Sequence, residues 1–370
     1  MKDYFSGSWR VWAGFAVAAI LLFGVAPAVL SDFRLNLLGK FLCFGIVAVG
    51  IGLAWGRGGM LTLGQGVYFG LGAYIMAMHL KISDAELRGD DVPDFMQIAG
   101  IRELPGYWQP FASPLVTILG IVLVPTLLAI LLGLGVFKRR VKGAYFAILS
   151  QALAAAFAIL LIGQQTTGGS NGLNRFRSFF GLALNDPVNR QLLFFITAAI
   201  LLAVVAITRQ LMYSRYGELL VAVRDQEERV RFLGYDPANV KVVAYAIAAL
   251  FASIAGAMFV PIVGIISPAD VGIVPSIAFL IGVAIGGRTT LLGPVLGAIA
   301  VAWAQTSLSE NFPSGWTYAQ GILFIVVVGF FPAGLAGIGA IIKWRKKKPA
   351  DLSPTGDIDE HAASKVGVSS

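Results

Sequence analysis

The sequence predicts an all-α integral membrane protein with about ten transmembrane helices, some short or broken, and both termini in the cytoplasm. Three observations carry that reading. Apolar residues fill 57% of the 370 positions and charged residues only 13%, with a mean hydropathy of +0.79, whereas soluble domains carry about 25% charged residues. The apolar residues gather in runs approaching the ~20 needed to cross ~30 Å of hydrocarbon. The charges collect between those runs, so the net charge of +8 is a signal of topology and not of nucleic-acid binding.

In chain order the runs are 11–30, 38–55, 66–79, 112–136, 143–163, 191–208, 242–262, 272–287, 291–305 and 319–342. The first lacks a small-residue cleavage site followed by a polar sequence, so it reads as a retained anchor. Runs 66–79 and 291–305 are too short for plain spans. Broken or re-entrant helices buried inside the protein are expected there. With the N-terminus inside, most of the 28 Lys and Arg fall on the inner side, including KRRVK at 138–142. The loop 80–110 then faces outward. The end of the chain, 343–370, reads as a basic interfacial anchor (KWRKKK) followed by a disordered cytoplasmic tail.

The inner segment 209–241 is the one long charged connection, with six basic and five acidic residues. Opposite charges recur at helical spacing as Arg224/Glu228, Asp225/Arg229 and Glu227/Arg231, each worth ~0.2–0.5 kcal/mol if exposed. Leu219, Leu220, Val223, Val230 and Leu233 fall between them, so one flank is expected to press on apolar surface. Gly234 suits the C-terminal stop of this helix, and Asp236-Pro237 an N-cap and first-turn proline of the next. The segment is either a solvated connection or a short docking helix for a soluble partner.

Small residues pattern the spans. Gly66/Gly70, Gly282/Gly286 and Gly293/Gly297 have GxxxG spacing, which lets helices approach closely. GGMLTLGQG (58–66) and GGRTTLLG (286–293) look alike, a weak sign of internal duplication. The single cysteine, Cys43, lies in an apolar run and reads as a core hydrophobe. His79 and His361 are too far apart in context to form a metal pair. No acidic or basic residue falls near the middle of any run, so no ion-coupling relay is visible. No GxxxxGK[ST] loop and no nucleophile–base constellation appears, which leaves no ATPase or other enzyme in this chain. A route without fixed charges suits a small, net-neutral polar solute. Its neutral donors and acceptors would be Gln65, Tyr68, Gln151, Thr166, Thr167 and Asn171. Each has a plainer role open to it: Gln151 an interhelical hydrogen bond, Gln65 the capping of broken backbone, and 166–171 a glycine-rich turn.

Three segments carry a family resemblance. GRGGMLTLGQGVYFGLGAY (56–74), TTGGSNGL (166–173) and RYGELLVAVRDQEERVRFLGYDPANVKVVAYAIAALFASIAGAM (215–258) resemble motifs of the LivM-type permease subunits of ABC importers for branched-chain amino acids and related small solutes. The similarity spans about residues 35–338. PDFM (93–96), ELPGYWQPF (103–111) and Gln164-Gln165 look most like the urea-uptake branch, UrtC, and the long loop 80–110 departs from the amino-acid branch. The resemblance implies a permease domain over 1–342 in the bacterial inner membrane, with a coupling loop at 209–241. It implies a second homologous permease, two cytoplasmic ABC ATPase subunits, a periplasmic solute-binding protein and membrane lipid as partners, and no nucleic acid. No cofactor would sit in this chain, since ATP and Mg would belong to the ATPases. The solute would be urea or, alternatively, a branched-chain amino acid; a passive channel or secondary carrier is the remaining class. By the same resemblance Glu218, Arg224, Asp225, Glu227, Glu228, Arg229, Leu233 and Gly234 would contact or shape the docking helix.

Overall fold

A computed structural model describes residues 12–311 except Lys142, together with isolated helical positions at 315, 318, 321, 322 and 325. The expected span 319–342 falls almost wholly outside these residues, and the tail 343–370 wholly so. The described chain is a helical bundle built of α1 (Trp12–Val29), α2 (Asp32–Arg57), α3 (Gln65–Arg88), α4 (Pro114–Phe137), α5 (Ala144–Gly163), α6 (Pro187–Met212), α7 (Arg215–Phe232), α8 (Pro237–Val263), α9 (Ile273–Gly286) and α10 (Gly293–Asn311). Two-residue strands tie loops together at one end: β1 (Leu173–Asn174) pairs antiparallel with β4 (Ile265–Ile266), and β2 (Ser178–Phe179) with β3 (Leu182–Ala183). Among the described residues, seven helical segments, one of them Pro268–Gly286, are long and apolar enough to cross a membrane.

The centre is α8, which packs on α2, α3 and α4. Its sequence is rich in Ala, Ser and Gly where it meets α3, so the two backbones nearly touch. A Cβ on Gly256 would strike the Phe69 carbonyl, and one on Gly72 the Ser253 carbonyl. The GxxxG pairs of α9 and α10 face each other in the same manner, Gly286 against Gly293 and Gly297 against Gly282. Without a hydrophobic force between helices in lipid, close van der Waals contact of this kind is what holds spans together. Cys43 is fully buried in this core, as expected of a small hydrophobe.

Two expectations need correction. The run 66–79 belongs to a longer helix: α3 is continuous for 24 residues and takes in 80–88, so the loop assigned to 80–110 begins only at Gly89. Even so, α3 is not one of the seven segments apolar enough to cross a membrane. Lys81 and Asp84 disguised its length, because both are buried within it. Lys81 pairs with Asp94 at 2.9 Å, and Asp84 accepts hydrogen bonds from the Arg177 and Ser178 amides and the Ser178 hydroxyl. The run 291–305 likewise extends to α10, 19 residues long. The irregular backbone anticipated here lies instead just before α3. His79 serves structure: its Nδ1–H donates to the Phe111 carbonyl at 2.7 Å.

The α3–α8 crossing yields a direct test. Gly256→Ala is expected to leave little monodisperse protein in detergent, because neither backbone has room to give. Gly135, with nothing within 4 Å of a Cβ, should accept alanine with unchanged or slightly raised thermal stability, a gain of ~0.5–1 kcal/mol at most. Equal melting temperatures for the two variants would refute the packing argument.

Candidate functional site: a clamped helix and a helix break

Local chemistry fixes the ends of α7. The Ser214 hydroxyl accepts from the Gly217 amide at 3.3 Å, and Glu218 stands in the first turn, where its charge meets the positive end of the helix dipole. At the other end Gly234 adopts φ +88°. Its amide reaches the Arg231 carbonyl and that of Tyr235 the Val230 carbonyl, the paired bonds of a Schellman stop. Asp236 then caps α8 by accepting from the Ala238 amide at 3.0 Å, with Pro237 behind it. Lys138 of the α4–α5 connection also bonds Asp236 and, by that hydrogen bond first, holds its carboxyl below the usual range.

The helix is not continuous. Gln226 sits at φ −147°, ψ 68°, which divides α7 into two halves. Two of the three expected ion pairs would cross this kink, and they do not form: Arg224 engages the adjacent Asp225 at 2.7 Å, not Glu228, and Asp225 turns to Arg224, not Arg229. The third is present, Glu227 with Arg231 at 3.1 Å, and Glu227 also binds Lys241 at 2.6 Å. Glu227 therefore sits between two cations as a clamp onto α8. Its side chain is half-buried. Leu220, Val223 and Val230 are buried as expected and Leu219 half-buried, but Leu233 is 76% exposed beside Phe232 at 90%. With Tyr235 they form an apolar tip that projects from the bundle. Glu218, Glu228 and Arg229 lie on the exposed face.

Arg224 links this helix to the interior. Its Nη1 donates to the Gly56 carbonyl at 2.8 Å, and its side-chain carbons close over Gly59, which has φ +68°. Gly56 lies in the π-helical last turn of α2, from Gly52 to Arg57. After it, residues 59–64 are not helical, yet Met60, Thr62 and Gly64 are buried. Neighbouring helices satisfy the open backbone: the Ser150 hydroxyl of α5 accepts from the Leu63 amide at 3.1 Å, and the Ser276 hydroxyl of α9 from the Gly66 amide at 3.0 Å. A cavity of about 180 Å³ lies between Arg224, Glu227, Lys241 and the glycines of the break.

The proposed pathway residues fall into separate places. Gln65 and Tyr68 meet at the break, where Gln65 is 1% exposed, donates to the Thr62 hydroxyl at 3.4 Å, and leaves its Oε1 without a partner among the described residues. The Tyr68 hydroxyl donates to that of Tyr245 at 2.8 Å. Gln151 is half-buried on α5, next to Ser150. Thr166, Thr167 and Asn171 lie at the far end of α5 and join no common site. Thr166 accepts from the Tyr107 hydroxyl at 2.6 Å, Thr167 closes the helix end on the Gln164 carbonyl, and Asn171 is exposed. The charge-free interior also needs correction. Lys40 is the ninth residue of α2, about 12 Å along it at 1.5 Å per residue, and it shares a cavity with Asp270. Sequence reading missed both because each stood near the edge of an apolar run. No group of three or more His, Cys, Asp or Glu suited to a metal occurs among the described residues.

Residues 33–331 match the family described as branched-chain amino acid transport system / permease component. The high-affinity branched-chain amino acid transport system permease protein LivM of Escherichia coli K12 is 25% identical over 347 residues, covering 87% of this chain and 74% of that protein. LivM of Salmonella typhimurium LT2 is 25% identical over 344 residues, covering 86% and 73%. No solved structure matches.

Proposed function

Because the chain belongs to the family of branched-chain amino acid transport system permease components, we propose that it is the solute-conducting subunit of an ATP-driven importer whose motor docks on α7. As a LivM-type permease it is a multi-pass inner-membrane protein and not an enzyme. The observation that carries the coupling reading is the Arg224–Gly56 bond. It connects a helix with an exposed apolar tip to the buried helix break at 58–64. Exposed ion pairs alone contribute a median of ~0–1 kcal/mol, so recognition would rest on Phe232, Leu233 and Tyr235, with Glu227 and Gly234 holding their position. A second homologous permease, two cytoplasmic ATPases with ATP and Mg, and a periplasmic binding protein would complete the machine. Ten spans with both termini cytoplasmic remain the arrangement that the basic residues favour.

For the solute, the names of the relatives favour a branched-chain amino acid over urea. Urea rests on PDFM, ELPGYWQPF and Gln164-Gln165 alone. Either is small, net-neutral and polar.

Three outcomes are expected. Cysteine at the exposed position Ile98 should label from the periplasm and cysteine at Gln226 only from the cytoplasm; the reverse would invert the topology and remove the docking helix. The complete complex in proteoliposomes should take up labelled leucine only with ATP, and excess urea should not compete; urea uptake that leucine leaves untouched would exchange the two assignments. Gly234→Val should insert and retain the sister permease but lose ATP-driven uptake at least tenfold, since a branched residue does not hold φ +88°. Arg229→Ala, an exposed change, should cost less than twofold. Wild-type transport in Gly234→Val would reduce the loop to a connection.

A further inference from the structure

The strongest unassigned feature is a cavity of about 190 Å³ between α2, α8, α9 and α10, at the β-strand end of the bundle. Lys40, Asp270 and Gln305 line it together with Phe44, Phe259 and Phe279. The rings pack on one another, with the Phe44 centroid 5.8 Å from that of Phe259 and 5.2 Å from that of Phe279, which gives the cavity an aromatic wall. We propose that this cavity is a solute station, in which Lys40 meets an acceptor oxygen of the solute and Asp270 its N–H donors.

The two charges are built to face something other than each other. Among the described residues Lys40 has no hydrogen bond or ion pair; its Nζ lies 5.9 Å from the centre of the Phe44 ring. Asp270 is oriented through one oxygen only: Oδ2 accepts from the Ser267 amide at 2.9 Å and hydroxyl at 2.7 Å. Its Oδ1 has no partner among the described residues. No ion pair within 4 Å joins Asp270 to Lys40, although the two act on each other electrostatically. Lys40 and Asp270 belong to the segments Asp32–Arg57 and Pro268–Gly286, both long and apolar enough to cross a membrane. Ionisable groups in such segments persist where they pair or serve a pathway. Here the pairing is left open across a cavity.

The chemistry of the two ends defines the solute class. An ammonium group only donates and a carboxylate only accepts. A solute must therefore present a carbonyl or carboxylate oxygen at one end and N–H groups at the other. Urea, short amides and α-amino acids share that arrangement, while the ring walls favour a solute with an apolar part. A net anion would be repelled by Asp270 and a net cation by Lys40. The same geometry thus selects for neutrality. This inference rests on the importer reading and names the site where that solute would be recognised.

The test uses the complete complex in proteoliposomes with Ala278→Cys on the cavity wall, against a background in which Cys43 is buried and unreactive. The rate of alkylation by a small thiol reagent is measured with leucine, urea, 4-methylpentanoate (no ammonium) or 3-methylbutylamine (no carboxylate). The transported solute should slow alkylation at least fivefold, and neither single-ended analogue should do so. Which of leucine and urea protects identifies the source. Added to Ala278→Cys, Lys40→Met or Asp270→Asn should abolish protection and Lys40→Arg should keep it. Uptake without protection, or protection that survives both charge removals, would overturn the station while leaving the importer intact. Protection without ATP-driven uptake would sustain the station and defeat the importer reading.

Discussion

Everything in this bundle answers to one requirement: a peptide group inside a lipid-facing protein has no water to bond, so its partner must be supplied by the protein. Helices meet the requirement by themselves. Past the end of α2 the Gly58, Gly59 and Met60 amides still bond α2 carbonyls, but the Leu63 amide and the first-turn Gly66 amide of α3 turn to side chains. Leaving either unsatisfied would cost several kcal/mol. Ser150 from α5 and Ser276 from α9 answer it with single hydroxyls. The break is therefore a junction at which α2, α3, α5 and α9 are bonded to one another. Arg224 adds α7 to that junction from the end of the bundle. If α7 is the proposed docking helix, it needs such an attachment, because motion at its tip would otherwise be absorbed by the loops on either side.

The features of 209–241 that were legible in the sequence were those written in backbone chemistry. Gly234, Asp236 and Pro237 each do what their type requires at a helix end. The pairing of Glu227 with Arg231 followed from spacing within one half of α7. The other pairs failed because spacing assumes an unbroken helix, and no residue type near Gln226 announces the kink. Leu233 was misread for a related reason: the stripe of apolar residues rotates out of register once the helix bends and stops.

Glycine spacing foretold the α9–α10 contact but not the equally close one between α3 and α8, where Gly72 and Gly256 have no GxxxG partner. Charge misled twice in opposite directions. Lys81 and Asp84 made a long helix look short, since their partners Asp94, Arg177 and Ser178 are distant in sequence or supplied by a later loop. Lys40 and Asp270 looked like boundary residues until the fold put them on two walls of one cavity. A hydropathy profile records how many charges a segment has, and only the tertiary structure shows what they face.

The apolar tip at Phe232, Leu233 and Tyr235 has a cost that falls on the cell. Exposed greasy residues grouped on a surface invite association with whatever is near. If the proposed motor covers it, a copy that reaches the membrane first would display this patch to chaperones, proteases and other orphans. Balanced synthesis of the subunits would then matter to each, since the same three side chains that would recognise the motor would mark the unassembled permease for disposal.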